Sequence, residues 1–297
     1  MAEASIGYVD ALFQVEVGRV RIETPFANSD DNRMAPNTFE GVWSHMDWSK
    51  NSKMQAFYFS RWAGSGSQER DAQGAISAPQ DKFKRFERDS KGLLGLSLSH
   101  VVADNKYSLW YYYADKYAQM VYAEASGKHA FDTQFELEWG VQLSYFDELE
   151  ASTIQGSVSG AMLMLHYEAL FGVGAFNYAD IDAGKMVTDG FGGGADFTSL
   201  DEASVATLSS FYQGKNILAF RLGVGYEFSA YGDKNLVIEL MHGYYEVEGA
   251  PLKLDENDLI VSYKLHERWY GELVYANFHD SAQADFDRAV LRLDYHF

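Results

Sequence analysis

The sequence contains no cysteine and only 4 prolines among its 297 residues. The absence of cysteine excludes a disulfide scaffold and a thiolate metal site, and it is compatible with an oxidising cell-envelope location. Basic residues are also scarce, since 24 Lys and Arg stand against 43 Asp and Glu, for a net charge of -19. Nucleic-acid binding needs basic patches that neutralise phosphates, so this charge argues against a nucleic-acid partner.

Long apolar runs are absent as well. No window approaches about 18 consecutive apolar residues, so the sequence predicts no transmembrane helix. The first residues, "MAEASIGYVDALFQ", show no basic region followed by an apolar run, and therefore no secretory signal. A chain whose signal sequence has been removed and a cytosolic chain would both begin in this way.

Aromatic residues are abundant, with 20 Tyr, 20 Phe and 6 Trp, and the dominant periodicity is two. Residues 133–145, 216–228 and 286–297 each alternate apolar side chains with polar or charged ones, as amphipathic strands do. Long polar loops are predicted at 24–40, 64–91, 180–215 and 247–256. Run and turn rules predict about fourteen strands, at 12–22, 40–48, 53–62, 92–102, 107–114, 116–125, 132–146, 157–168, 170–179, 216–228, 235–246, 257–265, 269–278 and 287–297.

Two all-β architectures use many amphipathic strands. A soluble sandwich buries its apolar faces and has strands nearer 5–6 residues, roughly. A transmembrane barrel exposes its apolar face to lipid, encloses a polar lumen and uses strands of about 9–11 residues with short turns on one side. Strand length, the unequal turns and aromatic residues near strand ends favour a transmembrane antiparallel β-barrel in contact with membrane lipid. With no composition shift along the chain, we predict a single domain over 1–297.

Residues 18–41, "GRVRIETPFANSDDNRMAPNTFEG", resemble the inward-folding loop region of OprD-type outer-membrane porins. The family pattern is a basic strand, then a Pro- and Asn-rich loop ending in R-x-x-P-x-x-x-x-G, which here falls on Arg33, Pro36 and Gly41. Residues 98–126 and 288–297 are similar to central strands and to the closing strand of that family. The stretch "GFGGGADFTSLDEASVA" resembles the related major porins of campylobacter-like bacteria.

The resemblance implies a barrel of about 18 strands in the outer membrane of a Gram-negative bacterium. It implies passage of ions and small organic solutes through a constriction of inward loops and basic side chains. In the family the loop motif follows several strands, whereas here it begins at residue 18, as if about four N-terminal strands were missing. A fragment and a shortened barrel both remain open. Because the chain is acidic, we expect a passive, cation-leaning diffusion channel for small polar solutes.

Charged residues on the non-lipid face are predicted to line the pore, because a basic group on the lipid face costs about 2–4 kcal/mol. The alternative is a set of solvated groups that pair locally, each pair contributing about 0–1 kcal/mol. If loop 24–40 folds into a lumen, its charged residues would form the constriction, or eyelet, of the pore. If the loop lies outside, it would be an ordinary solvated loop. The predicted pore-lining and constriction residues are Arg19, Arg21, Asp30, Asp31, Arg33, Glu136, Glu138, Arg221, Glu227, Glu239, Arg288 and Arg292.

The C-terminus carries Leu291, Leu293, Tyr295 and Phe297 at alternate positions. This arrangement is similar to the terminal signal that the outer-membrane assembly machinery reads on barrel proteins. In loop 180–215, Ser199 and Glu202 have the spacing of a capping box, which predicts a short helix that either narrows the pore or covers the barrel rim.

No cofactor is expected, although the acidic pair Asp180 and Asp182 is a weak candidate for Ca²⁺ binding. The eight histidines are scattered, with no nucleophile elbow and no metal spacing, so we do not expect an enzyme. Two alternatives to the channel remain open: a non-channel envelope barrel and a soluble sandwich, either with a binding or structural role. A homotrimer is the oligomer considered for the channel.

Overall fold

The computed structural model describes residues 3–29, 36–64, 69–70, 76–78, 83–87, 89–131, 134–200, 214–228, 236–251, 253–266, 268–281 and 285–295. Across these ranges the protein is all-β. No helix in them is long and apolar enough to cross a membrane.

The described residues form nineteen strands, and most of these strands run for ten residues or more. The N-terminal strands are β1 Ala4–Val9, β2 Phe13–Val20, β3 Glu23–Thr24, β4 Ala27–Asn28, β5 Thr38–Ser49, β6 Ser52–Ala63, β7 Glu69–Arg70, β8 Ile76–Ala78 and β9 Leu93–Val102. The remaining strands are β10 Asn105–Ala114, β11 Ala118–Ala130, β12 Phe135–Glu148, β13 Gly156–Tyr167, β14 Leu170–Ile181, β15 Ile217–Glu227, β16 Leu236–Val247, β17 Lys253–His266, β18 Trp269–Asp280 and β19 Phe286–Tyr295.

Fifteen of the strands belong to one sheet in the order β1-β2-β5-β6-β9-β10-β11-β12-β13-β14-β15-β16-β17-β18-β19. Neighbouring strands of the sheet pair antiparallel over long registers, for example from Ile217 opposite Val247 to Glu227 opposite Val237. The pairs β5-β6 and β17-β18 contain register shifts. Two short ribbons, β3-β4 and β7-β8, lie outside this sheet. Most neighbouring strands are joined by short turns and form local hairpins, whereas long segments join β2 to β5, β6 to β9 and β14 to β15.

The chain divides into two compact units. Unit 1 comprises Met1–Ala125, Leu143–Ser157 and Lys185–Ala195, and unit 2 comprises Ser126–Gln142, Val158–Gly184 and Asp196–Phe297. The core of unit 1 is aromatic and contains the fully buried Phe39, Phe59 and Tyr112. Unit 2 buries Tyr245 and Phe278 together with polar side chains. The expectation of a single domain over 1–297 stays a prediction.

All fourteen predicted strands are present, with three corrections. β1 was missed because its six residues are short and exposed on both faces. β11 continues to Ala130, through part of the predicted turn 127–132. β17 begins at Lys253, so the end of the predicted loop 247–256 is strand. Acidic residues there pointed to a loop, but Glu256 and Asp258 alternate within β17 and face its buried side.

The predicted long loops contain ordered structure of their own. Loop 24–40 includes the β3-β4 hairpin and the start of β5, and its residues 30–35 lie outside the described residues. Loop 64–91 includes the β7-β8 ribbon. In loop 180–215, residues 185–200 are described and irregular, while most of the helix predicted from Ser199 falls at 201–213, outside the described residues.

Candidate functional site

The two faces of the sheet have the opposite polarity to those of a water-soluble protein. In β17, Leu259 is 39% exposed, whereas Glu256 and Asp258 on the other face are 0% and 2% exposed. In β14, Phe176 and Tyr178 are exposed while Asn177 between them is completely buried. A soluble sheet buries its apolar side chains, so an exposed apolar face and a buried polar face indicate contact with lipid on the exposed side.

The same inversion recurs along the sheet. Exposed apolar side chains occupy alternate positions, and the buried side carries glycine, serine, amide and charged groups between the aromatic residues. In these strands an exposed apolar face is therefore opposed by a buried face that carries polar groups among aromatic and small apolar residues. The exposed set includes Leu94, Leu96, Leu98, Leu109, Val141, Leu143, Leu163, Leu165, Phe220, Leu222, Val224, Leu240, Leu273, Leu291 and Leu293.

In unit 1 the β3-β4 hairpin is inserted on the buried side. Its tip residue, Phe26, is buried, and its ring centroid lies 5.3–5.9 Å from those of Tyr112, Tyr122 and Phe146. The backbone N–H of Phe26 donates to the Tyr112 hydroxyl at 3.4 Å. Burying an aromatic tip among three rings fixes the hairpin in place, since aromatic pairs add about 0.5–1.5 kcal/mol beyond their buried area.

A glycine-rich segment, 186–194, runs beside this hairpin. Phe191 forms a parallel bridge with Ala27, and its N–H donates to the Phe26 carbonyl at 2.8 Å. The Gly193 N–H donates to Oδ1 of Asn28 at 2.9 Å. Gly190 has φ +74, and a Cβ there would lie 2.4 Å from the Phe26 carbonyl oxygen, so only glycine permits this approach.

A polar contact ties the same segment to the turn after β10. The hydroxyls of Tyr117 and Thr188 are 2.6 Å apart. Burial raises the pKa of Tyr117 to about 12, so its phenol stays neutral and able to donate. Nearby, Lys185 Nζ lies 2.6 Å from Glu148 Oε1. This ion pair leaves no net charge from the two side chains beside the segment.

In unit 2 a second inserted segment, 196–200, is held by four hydrogen bonds. The N–H and hydroxyl of Thr198 both donate to Oδ1 of Asn177, at 3.0 and 3.1 Å. The Tyr245 hydroxyl donates to the Thr198 carbonyl at 2.9 Å, and Arg221 Nη1 donates to the Ser199 carbonyl at 2.8 Å. Asn177, Thr198 and Tyr245 are fully buried, so these bonds are shielded from water.

Glycines in the neighbouring strands make room for segment 196–200. A Cβ at Gly140 would lie 2.8 Å from the Phe197 ring, and one at Gly243 would lie 2.4 Å from Leu200. A Cβ at Gly160 would lie 2.3 Å from the Asn177 amide that binds Thr198. These strand glycines therefore serve close approach of an inserted segment rather than flexibility.

Two predicted pore residues, Glu136 and Glu138, lie on the buried side of β12 and are brought together with Lys128 and His166. Lys128 Nζ contacts Glu136 and lies 3.0 Å from Oε1 of Glu138. His166 Nε2 lies 3.8 Å from the same Glu138 oxygen. The group is a compact acidic patch with one bound ammonium and one imidazole.

The other predicted charges of unit 2 also occupy the non-apolar face of their strands. Arg221 contacts the inserted segment, Glu239 faces Gly225 in register, and Glu227 lies at an exposed strand end. Arg288 and Arg292 alternate with the exposed leucines of β19. Arg292 pairs with Asp294 at 3.0 Å.

The N-terminal arginines are placed differently. Arg19 shares the face of exposed Val17, since buried Val20 takes the other side, and it pairs with Glu40 at 3.7 Å. Arg21 follows the strand and pairs with Glu3 at 3.4 Å. We therefore leave Arg19 and Arg21 out of the proposed pore lining. The remaining predicted eyelet residues lie outside the described residues: Asp30, Asp31 and Arg33.

The last strand carries Leu291, Leu293 and Tyr295 on its exposed face, while Phe297 lies outside the described residues. Asp180 is the penultimate residue of β14, and Asp182 follows the strand; both are exposed. In the described part of the chain, neither belongs to a group of three metal-ligand side chains. The calcium candidate gains no support from this placement.

Sequence reasoning missed the groups that hold the inserted segments: Asn177, Thr198, Tyr245 and Phe26. The available signal was the glycine pattern, in which Gly140, Gly160 and Gly243 interrupt strands and Gly190 begins a glycine run. A strand glycine marks close approach of another backbone, but it does not identify the partner.

No protein-family model matches this chain, and no curated protein matches it. Solved structures do. The outer membrane protein opdK from Pseudomonas aeruginosa is 14% identical, with a TM-score of 0.77 over 98% of this chain and 78% of that chain. OpdL from the same organism is 14% identical, with a TM-score of 0.81 over 98% and 80%.

A crystal structure of Pseudomonas aeruginosa OpdK with vanillate is also similar, at 16% identity and a TM-score of 0.77, over 98% of this chain and 76% of that one. These neighbours are outer-membrane porins of the OprD/Occ family. At such identities the likeness shows the fold. The predicted resemblance to OprD-type β-barrel porins is therefore confirmed at the level of the fold.

Proposed function

We propose that this protein is an outer-membrane porin, a passive diffusion channel for ions and small polar solutes. The observation that carries the proposal is the inverted polarity of the strands, with leucines exposed and carboxylates such as Glu256 buried. An apolar exterior suits lipid, and a polar interior suits a water-filled path. The porin fold of the structural neighbours supports the same function.

The inserted segments supply the constriction in this proposal. The β3-β4 hairpin with residues 186–194 lies on the buried side of the strands of unit 1, and residues 196–200 lie on the buried side of the strands of unit 2. Each segment narrows the space that its own unit borders. Because both are fixed by buried rings or buried hydrogen bonds, the constriction is permanent rather than a mobile gate.

The proposed selectivity favours cations. The buried faces of the unit 2 strands carry four glutamates: Glu136, Glu138, Glu239 and Glu272. The basic groups on these faces are paired: Lys128 and Arg292 bind carboxylates, and Arg221 donates to a backbone carbonyl. Rings and rows of like charge set the ion preference of a channel, and the whole chain carries a net charge of -19. A neutral or cationic solute therefore fits better than an aromatic carboxylate of the kind bound to OpdK.

The test is conductance in planar lipid bilayers. Stepwise currents are expected, and under a salt gradient the reversal potential should indicate cation preference. The double variant Glu136→Gln/Glu138→Gln should shift that potential towards anions, whereas Glu246→Gln, on the exposed face of β16, should not. Absence of stepwise currents would refute the channel, while an anion-selective reversal potential would refute only the selectivity.

A further inference from the structure

Metal-ligand side chains cluster on the buried side of the strands in unit 2. Glu136 and Glu138 are two positions apart on β12 and therefore point to the same side. His166 on β13 approaches them, with Nε2 3.8 Å from Oε1 of Glu138. One ligand atom from each of the three residues lies within 4.8 Å of the other two.

We propose that Glu136, Glu138 and His166 form a binding site for a borderline divalent metal ion of the Zn²⁺ class. Two carboxylate oxygens and one imidazole nitrogen are a donor set that Zn²⁺ accepts. The inference rests on the proposed function in one respect, that this face borders water through which the ion arrives.

The histidine is already oriented for this role. Its Nε2 is shielded from solvent and has no hydrogen-bond partner among the described residues. The imidazole stacks on Phe171, with ring centroids 5.7 Å apart and an interplanar angle of 28°, which limits its rotation. A nitrogen ligand distinguishes Zn²⁺ from Ca²⁺ and Mg²⁺, which prefer oxygen ligands only.

The spacing of the donors fits one ion after small side-chain rotations. Zinc binds nitrogen and carboxylate oxygen at about 2.0–2.2 Å, so two ligands of one ion are at most about 4 Å apart. The His166–Glu138 pair, at 3.8 Å, already meets this limit. The largest separation, within 4.8 Å, closes by rotating the flexible end of a glutamate.

Lys128 now holds the place of the cation. Its ammonium contacts Glu136 and lies 3.0 Å from Glu138, and its side chain is half exposed. A divalent ion that binds both carboxylates must displace this ammonium into water. Removing the charge of Lys128 should therefore tighten metal binding, whereas removing one of the three ligand side chains should weaken it.

The experiment is isothermal titration calorimetry of the chelator-treated full chain in detergent micelles with ZnCl₂. One saturable site is expected. His166→Gln should weaken it at least about tenfold, because loss of even an outer-shell partner costs about 10–100-fold. Lys128→Gln should tighten it at least about fivefold, the effect of removing about 1 kcal/mol of charge repulsion at 4 Å in water.

The control is His279→Gln, which removes a histidine paired with Asp285 on the exposed face and should leave the affinity unchanged. If His166→Gln fails to fold by circular dichroism, Glu136→Gln provides the same test. Unchanged affinity on ligand loss, weaker binding in Lys128→Gln, or displacement of Zn²⁺ by millimolar Ca²⁺ would overturn the site. Conductance of the same preparation is measured separately, so a channel without zinc binding refutes this inference alone.

Discussion

Replacing Asn177 by leucine should release segment 196–200 from the sheet. The change keeps the number and branching of the side-chain heavy atoms but removes the oxygen that accepts two hydrogen bonds from Thr198, at 3.0 and 3.1 Å. Both donors are fully buried, so each unsatisfied group costs about 1–3 kcal/mol, or about 2–6 kcal/mol together. The bonds that Tyr245 and Arg221 donate to the segment are unchanged and contribute about 1–3 kcal/mol together.

The cost of the two unsatisfied donors therefore shifts the equilibrium towards a detached segment, in which water satisfies both Thr198 donors. Even the lower cost of about 2 kcal/mol changes the ratio of detached to attached segment about 30-fold. Single-channel recording should show a higher open-channel conductance and more current noise in Asn177→Leu than in the unmodified protein.

A matched control is Asn277→Leu. Asn277 donates to Asp287 at 2.7 Å but lies on the exposed face of β18, away from the inserted segment. Its replacement should leave conductance and noise unchanged. If Asn177→Leu conducts like the unmodified protein, segment 196–200 does not narrow the path and the assignment of the constriction is wrong.

Two further substitutions test the lipid face and the inserted hairpin. Leu222→Arg should destabilise the folded protein by about 2–4 kcal/mol in urea titrations in lipid vesicles. Asn257→Arg, at an exposed position that is already polar, should cost less than about 1 kcal/mol. Equal costs for the two variants would contradict the lipid contact of Leu222. Gly190→Ala should lower the melting temperature more than Gly184→Ala, because both positions have positive φ but only a Cβ at 190 meets Phe26. Equal losses would show that segment 186–194 does not need its close contact with the hairpin.

Strand positions were predictable from the sequence because alternation is a local property. The outward Phe220, Leu222 and Val224 and the opposed Arg221 follow directly from the period of two. The same pattern does not distinguish lipid from a protein core. The burial of Glu256 and Asp258 beside exposed Leu259 is one of the structural observations that show which face is buried. The strand start at Lys253 was missed because acidic residues resemble a loop when the buried side is assumed to be apolar.

The sequence predicted an inward-folding loop, but it did not predict which residues the inserted segments contact. The Pro- and Asn-rich stretch after β2 indicated an inward loop, and its described part is a hairpin whose tip, Phe26, packs among aromatic rings. No local pattern links Asn177 to Thr198, because the pairing depends on how a distant loop returns to the sheet. The alternation of β2 places Arg19 on the face of exposed Val17, and its predicted pore-lining role stays a prediction.

The central claim is that alternate residues of a strand face lipid and the residues between them face water. Because the chain has no native cysteine, single cysteines at Leu240 and Glu239 can be compared directly in lipid vesicles. A fluorophore on Leu240→Cys should be quenched by spin-labelled acyl chains, and Glu239→Cys should react with a charged, water-soluble thiol reagent. Equal aqueous reactivity at both positions, with no quenching by lipid, would contradict the account.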